Sequence, residues 1–272
     1  MQFQDKIGVV VGATQGLGAA TARLLDERGI SGLVLVGRDA ERGNAVAESL
    51  SCQTKFLSAD LAEPDVAAQI IATADRTFGR VDHLINCAAL TVRGSVWDST
   101  AEMWDDMLKV NTVAPALLIT EAAKLMKRDG IEGTIVNIGS VASYGGQDFL
   151  YPYSASKAAL QAITRNASYS LMRHRIRVNL LQPGWMKTEG EDAIQRRFHG
   201  AEDGWLESAE AEQPFGRLID PNEVARTICF LSSEESGMMT GAVIDFDQTV
   251  QGAGDAPKPN LDPVWGEETT TS

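Results

Sequence analysis

The stretch Ile7-Gly8-Val9-Val10-Val11-Gly12-Ala13-Thr14-Gln15-Gly16-Leu17-Gly18-Ala19-Ala20-Thr21 decides how this chain is read. A short apolar run rich in β-branched residues enters a turn holding three glycines, and residues 17–27 then repeat apolar side chains at helical period. Glycines in such a turn let the backbone bend tightly and approach a pyrophosphate. The helix that follows offers unpaired N–H groups and a partial positive charge. The spacing is Gly-x-x-x-Gly-x-Gly; it is not the G-x-G-x-x-G fingerprint, because counting from Gly16 the last position is Thr21. Placed between the first strand and the first helix, the turn reads as a dinucleotide cradle with Gly12, Thr14, Gln15, Gly16, Leu17 and Gly18 as its contacts.

Outward from this turn the pattern alternates. Strand-like runs fall at residues 7–11, 32–36, 55–58, 83–86, 133–138, 177–181 and 241–246, and segments of helical period at 17–27, 42–50, 65–78, 101–128, 154–174 and 221–231. Strands that are apolar throughout are buried on both faces, so the order predicts an α/β fold: a Rossmann-like, doubly wound parallel sheet of about seven strands with helices on both faces. One domain over 1–250 is expected. Within it, 188–218 forms a polar, partly helical lid, and 251–272, rich in Gly, Pro, Asp and Thr, is an irregular tail.

Composition excludes several classes. Among 272 residues there are 24 Lys plus Arg against 37 Asp plus Glu, a formal charge of -13 that disfavours nucleic acid as a partner. Cys52, Cys87 and Cys229 are odd in number and far apart, so neither a disulfide framework nor a metal site is expected. The most apolar helical stretch, 113–120, is too short to span a bilayer, and the N-terminus carries no targeting pattern. A cytoplasmic protein with no membrane partner is the expectation.

The second strand bears on the choice of cofactor. It ends at Gly37-Arg38-Asp39, about 20 residues past the glycine turn, where an acid would bind the ribose hydroxyls of NAD and an Arg would pair with the 2′-phosphate of NADP. Gly37 stands where that acid usually does and Arg38 follows, which favours NADP(H). Asp39 is adjacent and keeps NAD(H) open. Further on, Tyr153-Ser154-Ala155-Ser156-Lys157 puts a phenol and an ammonium at i and i+4, on one face of a helix. A free tyrosine titrates near ~10, and a neighbouring cation that stabilises the phenolate makes it a usable acid/base. Tyr151 has Ala155 at i+4 and lacks the cation.

Ser140 stands 13 residues before Tyr153 at the end of a strand, and Asn111 lies within the long helical segment. With the glycine turn, this set resembles the short-chain dehydrogenase/reductase family in its compact single-domain branch. The resemblance spans residues 5–250 and takes in Asp60-Leu61, Asn86-Cys87-Ala88-Ala89, Pro183-Gly184-Trp185-Met186-Lys187-Thr188, Gly216-Arg217 and Thr240-Gly241. It implies that Tyr153 exchanges the proton with the substrate oxygen, that Lys157 lowers its pKa and holds the nicotinamide ribose, that Ser140 polarises the reacting carbonyl, and that Asn111 maintains a water-linked relay from Lys157. It implies that Asp60 and Leu61 flank the adenine, that Asn86 and Ala88 line the groove, and that Pro183, Gly184, Met186 and Thr188 hold the nicotinamide end. Val11, Ala89 and Asp247-Gln248-Thr249 depart from the usual Thr, Gly and Asp-Gly-Gly; none is a catalytic position.

The resulting expectation is an NAD(P)(H)-dependent oxidoreductase interconverting a secondary alcohol and a ketone. Ser140, Gln147, Tyr151, Tyr153 and Trp185, with Glu189, His199 and Trp205 from the lid, would suit a sugar, polyol or small cyclic alcohol. The rivals are a 3-oxoacyl-(acyl carrier protein) reductase, docking through Arg196 and Arg197, and a catalytically silent nucleotide-binding regulator. By family resemblance a homotetramer or homodimer is expected, packed through the helices at 101–128 and 154–174.

Overall fold

The computed structural model describes residues 2–250; the tail expected at 251–272 lies outside the described residues. Seven strands form one sheet in the order β3-β2-β1-β4-β5-β6-β7: β1 Ile7–Val11, β2 Gly32–Gly37, β3 Gln53–Ser58, β4 His83–Asn86, β5 Thr134–Ile138, β6 Arg177–Pro183 and β7 Val243–Phe246. Every neighbouring pair is parallel, with Val11 level with both Val36 and Asn86. The order reverses between β1 and β4, so the crevice at the carboxyl ends of these two strands is where a doubly wound sheet receives its ligand.

The helices are α1 Gly16–Glu27, α2 Ala40–Glu48, α3 Val66–Phe78, α4 Ala101–Leu108, α5 Ala114–Asp129, α6 Tyr151–Leu171, α7 Glu189–His199, α8 Trp205–Ala211 and α9 Pro221–Ser232. Two separate cores flank the sheet. Val10, Leu33, Leu35 and Val136 point to the side covered by α1 and α9, whereas Val9, Val34, Leu84 and Ile135 point to the side covered by α3 and α5. The alternation along each strand sends successive side chains to opposite faces, which is why β1 and β2 read as continuously apolar. Leu25 of α1, with no exposed surface, contributes roughly 2 kcal/mol by the usual transfer value.

The single long helix expected at 101–128 is broken. Residues Lys109–Val113 form a π turn between α4 and α5, in which the Ala114 N–H reaches back to the Lys109 carbonyl. Pro115, in the first turn of α5, has no N–H to give the Asn111 carbonyl four residues earlier, so the regular ladder cannot continue there. The helix expected from residue 154 begins three residues earlier, at Tyr151, with Pro152 in its first turn, where a missing N–H costs nothing. The segment expected as a lid, 188–218, carries two helices, α7 and α8. Its base is closed by a parallel bridge between Met186 and Ile219, in which the Lys187 N–H donates to Ile219 O at 2.9 Å and the Ile219 N–H to Trp185 O at 3.0 Å.

Candidate active site

A cleft of about 830 Å³ opens at the carboxyl ends of the central strands. Gly12, Thr14, Gln15, Gly16, Leu17 and Gly18 form its floor at one end, where β1 turns into α1. Gly12 has φ +86°, and a Cβ there would come within 2.6 Å of the Ala88 amide nitrogen. A Cβ on Gly18 would overlap the Gly12 carbonyl oxygen. The turn therefore leaves backbone alone at the helix N-terminus, the arrangement a pyrophosphate needs.

Arg38 lies on the exposed rim beside this floor, and Asp60 and Leu61 continue it. Asp60 folds its carboxylate onto the Ala62 N–H at 2.9 Å. Asp39, which the sequence leaves as a ribose partner, is instead engaged elsewhere. It caps α2, accepting from the Arg42 N–H at 3.0 Å, and pairs with the Arg42 guanidinium at 3.5 Å. It does not line the cleft. A side chain at Gly37 would collide with the methyl of Thr14, so the place of a ribose-binding acid is closed by the turn itself.

Tyr153, Lys157, Pro183, Gly184 and Met186 also line the cleft, and Ala88 and Thr188 line it against the floor itself, beside Gly12 and Gly16. Asn86 does not reach the cleft wall: it is buried at the end of β4 and donates to Asn137 Oδ1 at 2.8 Å. Its neighbour Cys87 does line the cleft, and burial pushes its thiol up to about 12, leaving a neutral filler.

The catalytic candidates come from three elements. Ser140 follows β5 and caps a single 3-10 turn at Val141–Tyr144, accepting from the Ala142 N–H at 3.1 Å, and its hydroxyl lines the cleft beside the Tyr153 phenol. Tyr153 and Lys157 project from the first turns of α6. Lys157 is 2% exposed, donates to the Ile138 carbonyl at 2.7 Å, and is pushed down to about 8 by burial.

The electrostatics differ from the sequence expectation. The Lys157 ammonium stands 5.8 Å from the centroid of the Tyr153 ring. Burial holds the Tyr153 phenol above its ordinary value; the Ser140 hydroxyl and the positive charge of Arg93 pull it back, and Glu191 pushes it up. The phenol is thus protonated at neutral pH and ready to act as an acid.

Asn111 sits in the π turn and is fully buried. Its Oδ1 accepts from the Leu90 N–H at 2.7 Å, and its Nδ2 donates to Leu90 O at 2.9 Å and Ser156 Oγ at 3.1 Å. It clamps the strand-exit loop to α6 and does not line the cleft.

Of the substrate candidates, Ser140, Gln147, Tyr153 and Trp185 line the cleft. Tyr151 does not. Its ring packs edge-on against Trp104, centroids 5.2 Å apart, with 47% of the residue exposed. Two residues of helix separate Tyr151 from Tyr153, a rotation of roughly 200° that points the two rings apart. From the lid, His199 reaches the cleft, whereas Glu189 and Trp205 do not. Trp205 instead stacks on Trp185 at 6.3 Å and donates to Asp192 Oδ1 at 2.7 Å. Trp185 itself donates to Glu191 Oε1 at 2.8 Å.

Arg93, Phe149 and Glu191 line the cleft without any motif in the sequence to mark them. The topology offers one signal: residues following β4 must emerge at the crevice edge.

Among the described residues, no cluster of three or more His, Cys, Asp or Glu could hold a metal. No helix of the described residues is long and apolar enough to cross a membrane.

A family model described as enoyl-(acyl carrier protein) reductase matches residues 12–250. The chain belongs to the short-chain dehydrogenase/reductase family. It is 30% identical to the NADP-dependent (R)-specific alcohol dehydrogenase of Lentilactobacillus kefiri, over 92% of this chain and 99% of that one. It is 32% identical to the cis-4-hydroxycyclohexanecarboxylate dehydrogenase of Sinomonas cyclohexanicum, over 90% and 96% of the two chains. Among solved structures it resembles YwfH, an NADPH dependent reductase involved in bacilysin biosynthesis, with a TM-score of 0.83, 27% identity and coverage of 89% and 97%. This member of the family is accordingly an NAD(P)-dependent oxidoreductase acting on CH–OH groups. The glycine floor, where a Cβ at Gly12 or Gly18 would fill the space, fits a dinucleotide, and the residues that would hold it are those lining the cleft from Gly12 to Gly18 and from Pro183 to Thr188.

Proposed function

We propose that this chain reduces a ketone to a secondary alcohol, reversibly, with NADP(H), and that Tyr153 is the general acid. The observation that carries the reading is the one cleft lined by the Ser140 hydroxyl, the protonated Tyr153 phenol and the buried Lys157 together with the glycine floor. The nicotinamide cofactor, when bound, supplies or accepts the hydride at the carbinol carbon. Ser140 donates a hydrogen bond to the carbonyl oxygen, and Tyr153 passes its proton to that oxygen as the carbonyl is reduced. In the oxidation direction the phenolate takes the proton back. Lys157, held by the Ile138 carbonyl, keeps positive charge near the phenol ring and holds the cofactor ribose. Asn111 acts as a positioning residue for the loop after β4 and for α6. We carry over the water-linked relay from Lys157 as a part of this reading.

NADP(H) is favoured over NAD(H) by the exposed Arg38 on the rim and by the diversion of Asp39 to cap α2. The substrate reading is a sugar, polyol or small cyclic alcohol; the hydroxycyclohexanecarboxylate dehydrogenases of Sinomonas cyclohexanicum, at 32% and 29% identity, support the cyclic class. An acyl carrier protein is disfavoured because Arg196 is already paired with Asp192 at 3.0 Å and Asp203 at 3.2 Å. The exposed Val113, Leu117, Tyr169 and Met172 along α5 and the end of α6 support a homo-oligomer, which we place in the cytoplasm.

A nicotinamide absorbance assay against sugars, polyols, cyclic ketones and acyl thioesters, run with both cofactors, tests the reading. Activity on cyclic ketones or polyols with NADPH is expected, and Tyr153→Phe should lose at least about a thousandfold in turnover while binding NADPH normally. Unchanged turnover in Tyr153→Phe removes the assigned acid; activity on acyl thioesters alone replaces the substrate class.

A further inference from the structure

The described residues include two arginines that burial holds below their ordinary value, Arg93 and Arg177. They differ in what their guanidinium groups meet. Arg177 is satisfied by the fold: it donates to Leu231 O at 3.0 Å, Ser236 Oγ at 2.7 Å and Ser233 O at 2.8 Å, closing the end of α9. Arg93 is not. Its Nε donates to His199 Nε2 at 3.0 Å, its Nη1 makes a long contact to Thr91 O at 3.4 Å, and no partner within the protein takes up Nη2 among the described residues.

The group is nonetheless held in place. The Arg93 Cζ lies 5.3 Å from the centroid of Phe149, and the His199 ring meets the same phenyl edge-on at 5.0 Å. All three side chains line the cleft that holds Tyr153. No carboxylate of the described residues lies within ion-pair distance of Arg93. The carboxylate that acts on it electrostatically, Glu191, has one oxygen committed to Trp185 at 2.8 Å and Gln195 at 2.7 Å. A half-buried guanidinium held by two rings, with donors open to the cleft, is placed to meet an acceptor there at little further ordering cost. A fork of parallel N–H groups matches a carboxylate best.

We propose that Arg93, braced by His199 and Phe149, binds a carboxylate of the substrate, so that the substrate is a hydroxy acid and the product its keto acid. The proposal rests on the alcohol–ketone reading above and adds the second functional group. Because Arg93 lines the same cleft as Ser140 and Tyr153, the anionic end and the reacting carbonyl belong to one small molecule spanning it. Arg93 selects the substrate by its carboxylate, and Tyr153 acts at its other end.

The test separates binding from turnover. Calorimetric titration of the NADP-loaded protein uses matched pairs of probes, each a carboxylate and its own amide: cyclohexanecarboxylate with cyclohexanecarboxamide, and butyrate with butyramide. The expected result is a carboxylate preference of about tenfold or more in at least one pair, as a charge-assisted hydrogen-bonded pair of roughly 1.5 kcal/mol gives. Arg93→Gln should bring that ratio to near one, and Arg93→Lys should keep part of it. A wild-type preference below about twofold in every pair overturns the proposal, as does a preference that survives Arg93→Gln. The ketone panel with Tyr153→Phe reports on the alcohol–ketone reading separately, since these probes carry neither a ketone nor a hydroxyl group.

Discussion

The glycine turn and the lid face each other across one cleft and are built on opposite principles. In α1, Leu17, Gly18, Ala19, Ala20, Thr21, Ala22 and Leu25 are buried, and the turn before it is packed so closely that a single added methyl would strike backbone. In α7 no residue is buried, and α8 buries only Ala209. The lid is held by polar and aromatic pairs: Trp185 to Glu191, Trp205 to Asp192, and Arg196 to Asp192 and Asp203. The difference teaches that the cofactor end is fixed by exclusion of alternatives, whereas the substrate end is held by exchangeable contacts worth little individually. Such a segment can open and close at small cost.

The sharpest way to break this contrast is a methyl group added at each end. Gly18→Ala should cost about 3 kcal/mol and roughly 6–12 °C in Tm, because its Cβ meets the Gly12 carbonyl and neither backbone can move aside. NADPH affinity, read by fluorescence titration, should fall with it. Gly200→Ala meets nothing within 4 Å, and only its φ of +63° resists a side chain, so thermal melting should show a loss of about 1 kcal/mol. Equal losses at the two positions would remove the distinction.

Acid should strike the sheet before the lid. His83 is buried between Phe3 and Thr134, and burial pushes it down to about 4 from 6.5. The unfolded chain therefore takes up this proton first as pH falls. The stability is intact above about 6.5 and is lost on the way to about 4, by about 3 kcal/mol for this group. Urea unfolding at pH 7, 5.5 and 4.5 measures the slope, and His83→Asn should flatten it.

Two smaller effects separate the ends functionally. Arg38→Ala should weaken NADPH binding about tenfold or more while leaving NADH nearly unchanged, as expected for loss of one charge-assisted contact to a phosphate. Trp205→Phe removes the bond to Asp192 but keeps an aromatic ring against Trp185. We expect a change of a few-fold in substrate KM, equivalent to about 1 kcal/mol, with cofactor affinity unaltered. A cofactor effect as large as the substrate effect would show the two ends to be one mechanical unit.

Legibility in the sequence follows the same divide. Strand β1 is legible with both its boundaries because a buried parallel strand leaves an unbroken apolar signature; β4 is legible with its boundaries too, although His83 and Asn86 flank only Leu84 and Ile85. The i, i+4 pair Tyr153 and Lys157 is visible because helix geometry alone puts the two on one face. That same geometry excludes Tyr151, which proximity in sequence makes attractive. The break at Lys109–Val113 is signalled only by Pro115, and its purpose, to set Asn111 against Leu90 and Ser156, depends on contacts between segments far apart in the chain.

What the sequence determined by itself is the sheet, the glycine turn and the pairing of Tyr153 with Lys157 on one helix face, since each follows from local periodicity or from spacings within one turn of helix. What only the tertiary structure decided is the state of those groups and their company. Whether Tyr153 is pushed up or down depends on burial and on which charges lie near its oxygen, and a favourable charge comes from Arg93, 60 residues away in the chain. The guanidinium, the phenyl of Phe149 and the lid histidine meet because three loops converge at the strand ends. Convergence of that kind is set by packing across the whole fold and leaves no periodic trace in the sequence.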